Sequence, residues 1–129
     1  YAVVSLGNNV TAPSVGIGML FLKDFYGLDN NTGERGARAR TGVRPTQETD
    51  WLVPKLDFVN AVEYIWVNPA PGVEPDVTDA DGRLPMTADF LASGFSEIVL
   101  TIGYTPATFQ FDELRVGTAF GDVVNGATL

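Results

Sequence analysis

The chain is predicted to fold as an all-β antiparallel sandwich of jelly-roll type. Three observations carry that prediction. Apolar residues recur with a period of two, and β-branched and aromatic residues crowd those runs. The breaks between runs are rich in turn formers, with 8 prolines and 14 glycines in 129 residues. No window carries an i, i+3, i+4 apolar stripe bounded by caps, so helix is expected only as short turns around residues 86–91 and after Thr118.

The opening run YAVVSLG predicts a strand over 1–6. VGIGMLFLKDF predicts a second over 15–25, with Val15, Ile17, Met19, Phe21 and Phe25 on one face. Gly16 and Gly18 lie on the other. Glycine weakens a strand, so two at alternate positions predict a bend or the close approach of another backbone. A third strand is expected over 36–43, where Arg38 and Arg40 share a face. WLVPKLDF and EYIWVNP predict strands over 50–58 and 61–67, joined through Val59-Asn60 as a tight hairpin with Asn60 at positive φ. Pro54 cannot donate to a ladder, which places its strand at a sheet edge or a bulge. SEIVLTIGY and ATFQFDELRV predict the last two strands, over 96–103 and 107–116.

Length and composition bound what such a domain does. Residues 1–129 suffice for a single domain with a core of its own, and 45% hydrophobic content argues against disorder. No apolar stretch approaches the ~18 residues of a membrane span. Cysteine and histidine are both absent. That removes thiol chemistry, disulfides, the commonest general base and the commonest metal ligand. The net charge of -8 is unevenly placed. Residues 1–60 balance six acids with six bases, whereas residues 61–129 carry ten acids against Arg83 and Arg115. Such a surface repels phosphate backbones, so nucleic acid is not an expected partner.

From Trp51 onward the pieces WLVPKLDF, YIWVNPAPG, an acidic loop, EIVLTIG and FQFDELRVGTAFGDVV come in an order that resembles the concanavalin-A-like, laminin-G-like jelly rolls of bacterial exported proteins. The closing Asp-Glu-Leu-Arg-Val-Gly-Thr strand is the most specific part of the likeness. The resemblance covers roughly the last 80 residues and fits 26–49 poorly. It implies an extracellular or cell-surface location, and further strands ahead of a segment like YAVVSLG. Strands that are apolar on both faces also need cover on both sides. Either the sequence is a fragment, or the domain is trimmed and closed by its own loops, or a neighbouring subunit supplies the missing strand by β-augmentation. In the third case Tyr1, Val3, Val4 and Leu6 form the subunit contact, and a head-to-tail contact need not close, giving a filament or a surface layer. Arg35, Arg38 and Arg40 join that contact, because an arginine cluster complements the acidic second half. The plainer reading is a solvated strand edge guarded by charge.

Other constellations are weaker. Glu74, Asp76, Asp79 and Asp81 crowd one loop with hard oxygen ligands that suit Ca²⁺, but the EF-hand spacing fails, and a solvated acidic loop explains them as well. Trp51, Tyr64 and Trp66 offer aromatic faces for stacking on a sugar, although aromatics on a strand are more often core. Asp112 and Glu113 are not expected to make a catalytic carboxylate pair: neighbours on a strand point to opposite faces, so they do not meet across one substrate unless a bulge intervenes, and an exposed Glu113–Arg115 pair is the simpler reading. The expected function is a non-catalytic structural or adhesive subunit that self-associates through sheet edges, with no cofactor beyond a potential Ca²⁺. The alternative is a lectin-like carbohydrate-binding module.

Overall fold

The computed structural model describes residues 1–8, 14–20, 24–30, 37–103 and 108–124. The fold is all-β, with eight strands among these residues: β1 (Ala2–Gly7), β2 (Val15–Met19), β3 (Tyr26–Asp29), β4 (Arg38–Arg40), β5 (Leu52–Asp57), β6 (Val62–Val67), β7 (Gly82–Pro85) and β8 (Glu97–Ile102). They form two antiparallel sheets, a larger one in the order β4-β3-β2-β1-β8 and a smaller one in the order β5-β6-β7. Two short helices, α1 (Ala88–Ser93) and α2 (Phe120–Val124), and a single 3₁₀ turn over Val77–Asp79 complete the described chain. No helix among the described residues is long and apolar enough to cross a membrane.

Register decides which side chains meet. Residues directly opposite each other in an antiparallel pair share a face of the sheet. Leu100, Val4, Ile17, Leu28 and Ala39 therefore form one row across all five strands of the larger sheet. Ile17 and Leu28 in that row belong to the core, with Leu6, Val15, Ile65, Leu84, Met86 and Phe90. The main contacts between the layers fall where β3 and β4 meet β6 and β7. At that seam a Cβ on Gly82 would stand at an ordinary 3.6 Å from Thr41 of the other layer, but only 3.1 Å from Ile65, its partner in the same sheet.

The hairpin forms as the sequence predicts, with β5 at the edge of the smaller sheet and Pro54 exposed on it. Its turn is wider than expected, spanning residues 58–61. Ala61 rather than Asn60 takes the positive φ, at 56°. Asp57 explains this: its Oδ1 accepts from the Val59 and Asn60 N–H groups and its Oδ2 from Asn60 Nδ2, which commits Asn60 to the turn.

Helix α1 starts at Thr87, whose Oγ1 accepts from the Phe90 N–H at 3.2 Å, and it stops at Gly94 with φ 60°. It delivers Phe90 into the core, stacked between Phe58 and Phe95 at centroid distances of 6.0 and 6.5 Å. Thr87→Ala is expected to cost about 1 kcal/mol of unfolding free energy in a urea titration. Thr87→Ser should restore it.

Four expectations need correction. The run 15–25 is not one strand: β2 ends at Met19, and β3 begins at Tyr26 and runs back beside it. Strands β3 and β7 were not expected at all. Residues 108–116 form no strand, although their sequence alternates. Finally, β1 is not a rim. It pairs with β2 on one side and β8 on the other, because a six-residue apolar strand gains two full ladders there.

Candidate functional site

Among the described residues, the far end of the larger sheet sets an unpaired strand edge beside exposed apolar side chains. Strand β8 is paired with β1, and among the described residues nothing pairs with its other edge. Its side chains read Glu-Ile-Val-Leu-Thr-Ile, with Ile98, Leu100 and Ile102 on one face and Glu97, Val99 and Thr101 on the other. Ile98, Leu100 and Ile102 lie opposite Leu6, Val4 and Ala2, hence on the face that looks toward the smaller sheet. That sheet is only three strands wide and sits over β3 and β4. Cover therefore fades along the row from Leu28, which is 0% exposed, through Ile17 at 5%, to Leu100 at 49%. Ile98, Val99 and Ile102 are similarly exposed. A row of unpaired backbone groups beside uncovered apolar side chains is a template for another strand.

The sequence-predicted contact residues sit elsewhere. Tyr1, Val3, Val4 and Leu6 belong to the interior strand β1 or its approach, and the Tyr1 amine donates to the Gly103 carbonyl at 2.6 Å. Backbone pairing by residues 1–7 is thus used within the chain. Arg38 and Arg40 do lie on an edge strand, β4. Arg38 Nε donates to Asp29 Oδ2 at 2.7 Å, and the Arg40 guanidinium lies 4.1 Å from the centre of the Phe25 ring. Arg44 lies over the same ring at 4.7 Å. Arg35 falls outside the described residues.

The aromatic and acidic candidates are largely built into the fold. Trp66 is 4% exposed and stacks on Tyr64 at 6.1 Å, so it offers no open face for a sugar. Tyr64 and Trp51 are half-buried. In the acidic loop, Glu74 accepts from Lys55 Nζ at 2.9 Å, and that bond raises the lysine's pKa. Asp76 caps the 3₁₀ turn, accepting from Thr78 N and Thr78 Oγ1, which lowers its own pKa. Asp81 Oδ2 takes the Val67 N–H at 2.7 Å, and Asp79 is exposed. Among the described residues no group of three acidic side chains converges, and Glu74, Asp76 and Asp81 are each held by a separate local partner. Asp112 and Glu113 also stay apart as a site. Asp112 Oδ1 accepts from the Glu113 N–H, and Glu113 lies 3.6 Å from Arg115 at the surface.

Two polar groups escaped sequence reading. Asp50 bolts the layers together. Its Oδ2 accepts from Tyr26 Oη at 2.8 Å and from the Thr46 N–H at 3.3 Å, while its Oδ1 accepts from Asn68 Nδ2 at 2.9 Å. Burial works against the Asp50 charge, but the bonds from Asn68, Tyr26 and Thr46 outweigh it and lower its pKa. Burial and the bond to Asp50 push the Tyr26 hydroxyl well above its usual range. Glu63 is the second. It is 0% exposed and set directly opposite Leu56 and Leu84, and neither carboxyl oxygen has a hydrogen-bond partner among the described residues. Burial, then the charge of Asp29, push its pKa up to about 8.

The one signal that foretold the open edge is the composition of EIVLTI. Ile98, Leu100 and Ile102 at one parity demand cover on that face, which an edge strand beyond the reach of the smaller sheet does not receive. Compared with known proteins, the chain matches no protein-family model, no curated protein and no solved structure.

Proposed function

We propose that this chain is a non-catalytic structural subunit that associates with others through the open edge of β8, as a component of an extracellular matrix, filament or surface layer. The observation that carries the reading is the uncovered apolar row Ile98, Leu100 and Ile102 on a strand whose outer edge has no partner among the described residues. Edge strands are ordinarily guarded by charge, proline or a bulge. Here β4 fits that pattern with Arg38 and Arg40, and β5 fits it with Pro54, whereas the only charge on β8 is Glu97. The contrast favours β8 as the edge meant to be filled. The concanavalin-A-like family membership belongs to the same proposal, and two stacked antiparallel sheets are what it requires. The lectin-like alternative is less well supported, since it must do without Trp66.

Sedimentation velocity across a hundredfold concentration range tests the reading. The wild-type chain is expected to gain mass with concentration, and Leu100→Lys to weaken association at least tenfold while its circular dichroism stays unchanged. A lysine at a half-exposed edge position leaves the fold intact and places a charge where the next strand would lie. A wild-type chain that sediments as a monomer at every concentration refutes the proposal.

A further inference from the structure

We infer that the strand seated on the open edge of β8 is residues 108–116 of a second copy of this chain; the inference rests on the association reading above and names its partner. The segment TFQFDELRV has the make-up of a strand but forms none, and it leaves Phe111, Leu114 and Val116 39%, 54% and 62% exposed. Strict alternation would split its apolar residues, with Phe109 and Phe111 on one face and Leu114 and Val116 on the other. Glu113 changes that count. Its φ is 50° and its N–H is held by Asp112 Oδ1 at 2.8 Å. A left-handed residue is the device by which a one-residue bulge sets two residues against one. With Asp112–Glu113 counted as one rung, Phe109, Phe111, Leu114 and Val116 share a face, and Gln110 and Arg115 share the other.

Laid antiparallel along β8, this segment matches it rung by rung. Arg115 falls opposite Glu97, Leu114 opposite Ile98, the Asp112–Glu113 bulge opposite Val99, Phe111 opposite Leu100, Gln110 opposite Thr101, and Phe109 opposite Ile102. Apolar side chains meet on the face that the smaller sheet leaves open, and an arginine meets a glutamate on the other face. A slip of one rung turns every side chain over and loses both matches. The donor is a second copy because, within one chain, only residues 103–107 separate the segment from β8, enough for a hairpin, and the structure nevertheless leaves segment and edge unjoined. One molecule thereby presents a donor strand and an acceptor edge together, which is the condition for exchange between copies.

The chain has no cysteine, so introduced thiols report without interference. Thr101→Cys and Gln110→Cys are prepared separately, mixed at an associating concentration and oxidised, with the association followed by sedimentation in the same sample. The mixture is expected to give a disulfide-linked dimer at several times the yield of either variant alone. Val59→Cys, at the exposed hairpin tip, sets the background when mixed with either variant. A peptide of sequence TFQFDELRV added in excess should suppress both the disulfide and the mass increase. Association without the mixed disulfide overturns the assigned strand and leaves the edge reading standing. Absence of association overturns both. A disulfide closing within a single chain of the double variant T101C/Q110C replaces exchange with an intrachain hairpin and overturns the inference.

Discussion

Between pH 5 and pH 8 the wild-type chain is expected to lose stability steadily, and Glu63→Gln to abolish most of that loss. The reason is the position of Glu63 on β6, fully buried between Leu56 and Leu84 and without a hydrogen-bond donor among the described residues. Its pKa rises from 4.5 to about 8, first through burial and then through the charge of Asp29, itself held by Arg38. The native state therefore keeps a proton that the unfolded state releases above its own lower pKa. Stability from this group is full below pH 4.5 and is lost as pH rises through about 8. The whole span is on the order of 4–5 kcal/mol, at 1.36 kcal/mol per pKa unit. That is a large share of the 5–15 kcal/mol typical of a domain. Asp50, whose pKa is lowered, acts in the opposite sense and withdraws stability as pH falls below its ordinary value. Together they place the optimum near the lower end of the range. Urea midpoints of both proteins from pH 4 to pH 9 decide the matter. Parallel curves would mean that Glu63 is not the group responsible.

Gly18→Ala is expected to destabilise the chain by on the order of 3–5 kcal/mol, the sum of a strained backbone and an overpacked contact. Gly18 has φ 136°, a conformation that side-chain-bearing residues rarely adopt. A Cβ there would run into the carbonyl oxygen of Ala2 on the neighbouring strand, and backbone cannot step aside as a side chain can. Gly16→Ala supplies the comparison. Its Cβ would meet only the Val3 Cγ1 methyl at 3.1 Å among close neighbours, at an ordinary φ, so a cost of about 1–2 kcal/mol is expected. Equal losses in a denaturant titration would sink the steric account.

The glycine pair shows how much could be read in advance. Alternate glycines in VGIGM pointed to a close backbone approach, and β1 is that backbone. Pro54 pointed to an edge strand, and β5 is one. The helical turn near residue 88, the hairpin and the placement of six strands were likewise visible, because each depends on neighbours within a few positions. Strands β3 and β7 were missed because YGLD and GRLP have little strand character of their own. Gly27 and Gly82 are disfavoured in strands, and these elements form because flanking strands supply the ladder. Residues 108–116 form no strand for the converse reason: the alternation is present, but no pairing partner is present among the described residues.

The candidate site divides in the same way. EIVLTI announced a strand with one apolar face, yet only the offset of the two sheets shows that its cover fails at β8 rather than at β1. Trp66, Glu74, Asp76 and Asp81 looked available in the sequence and are occupied in the fold, while Glu63 and Asp50 looked ordinary and have their pKa values shifted, up for Glu63 and down for Asp50. The amino-acid sequence by itself determined that this protein is all-β, roughly where six of its strands lie, and that its excess negative charge lies in its second half, because period, turn chemistry and composition act locally. Tertiary structure alone decided which strand is left at the edge, which aromatics are buried and which carboxyl keeps its proton. Each of these depends on what lies across the sheet or between the layers, at a distance along the chain over which no local pattern carries information.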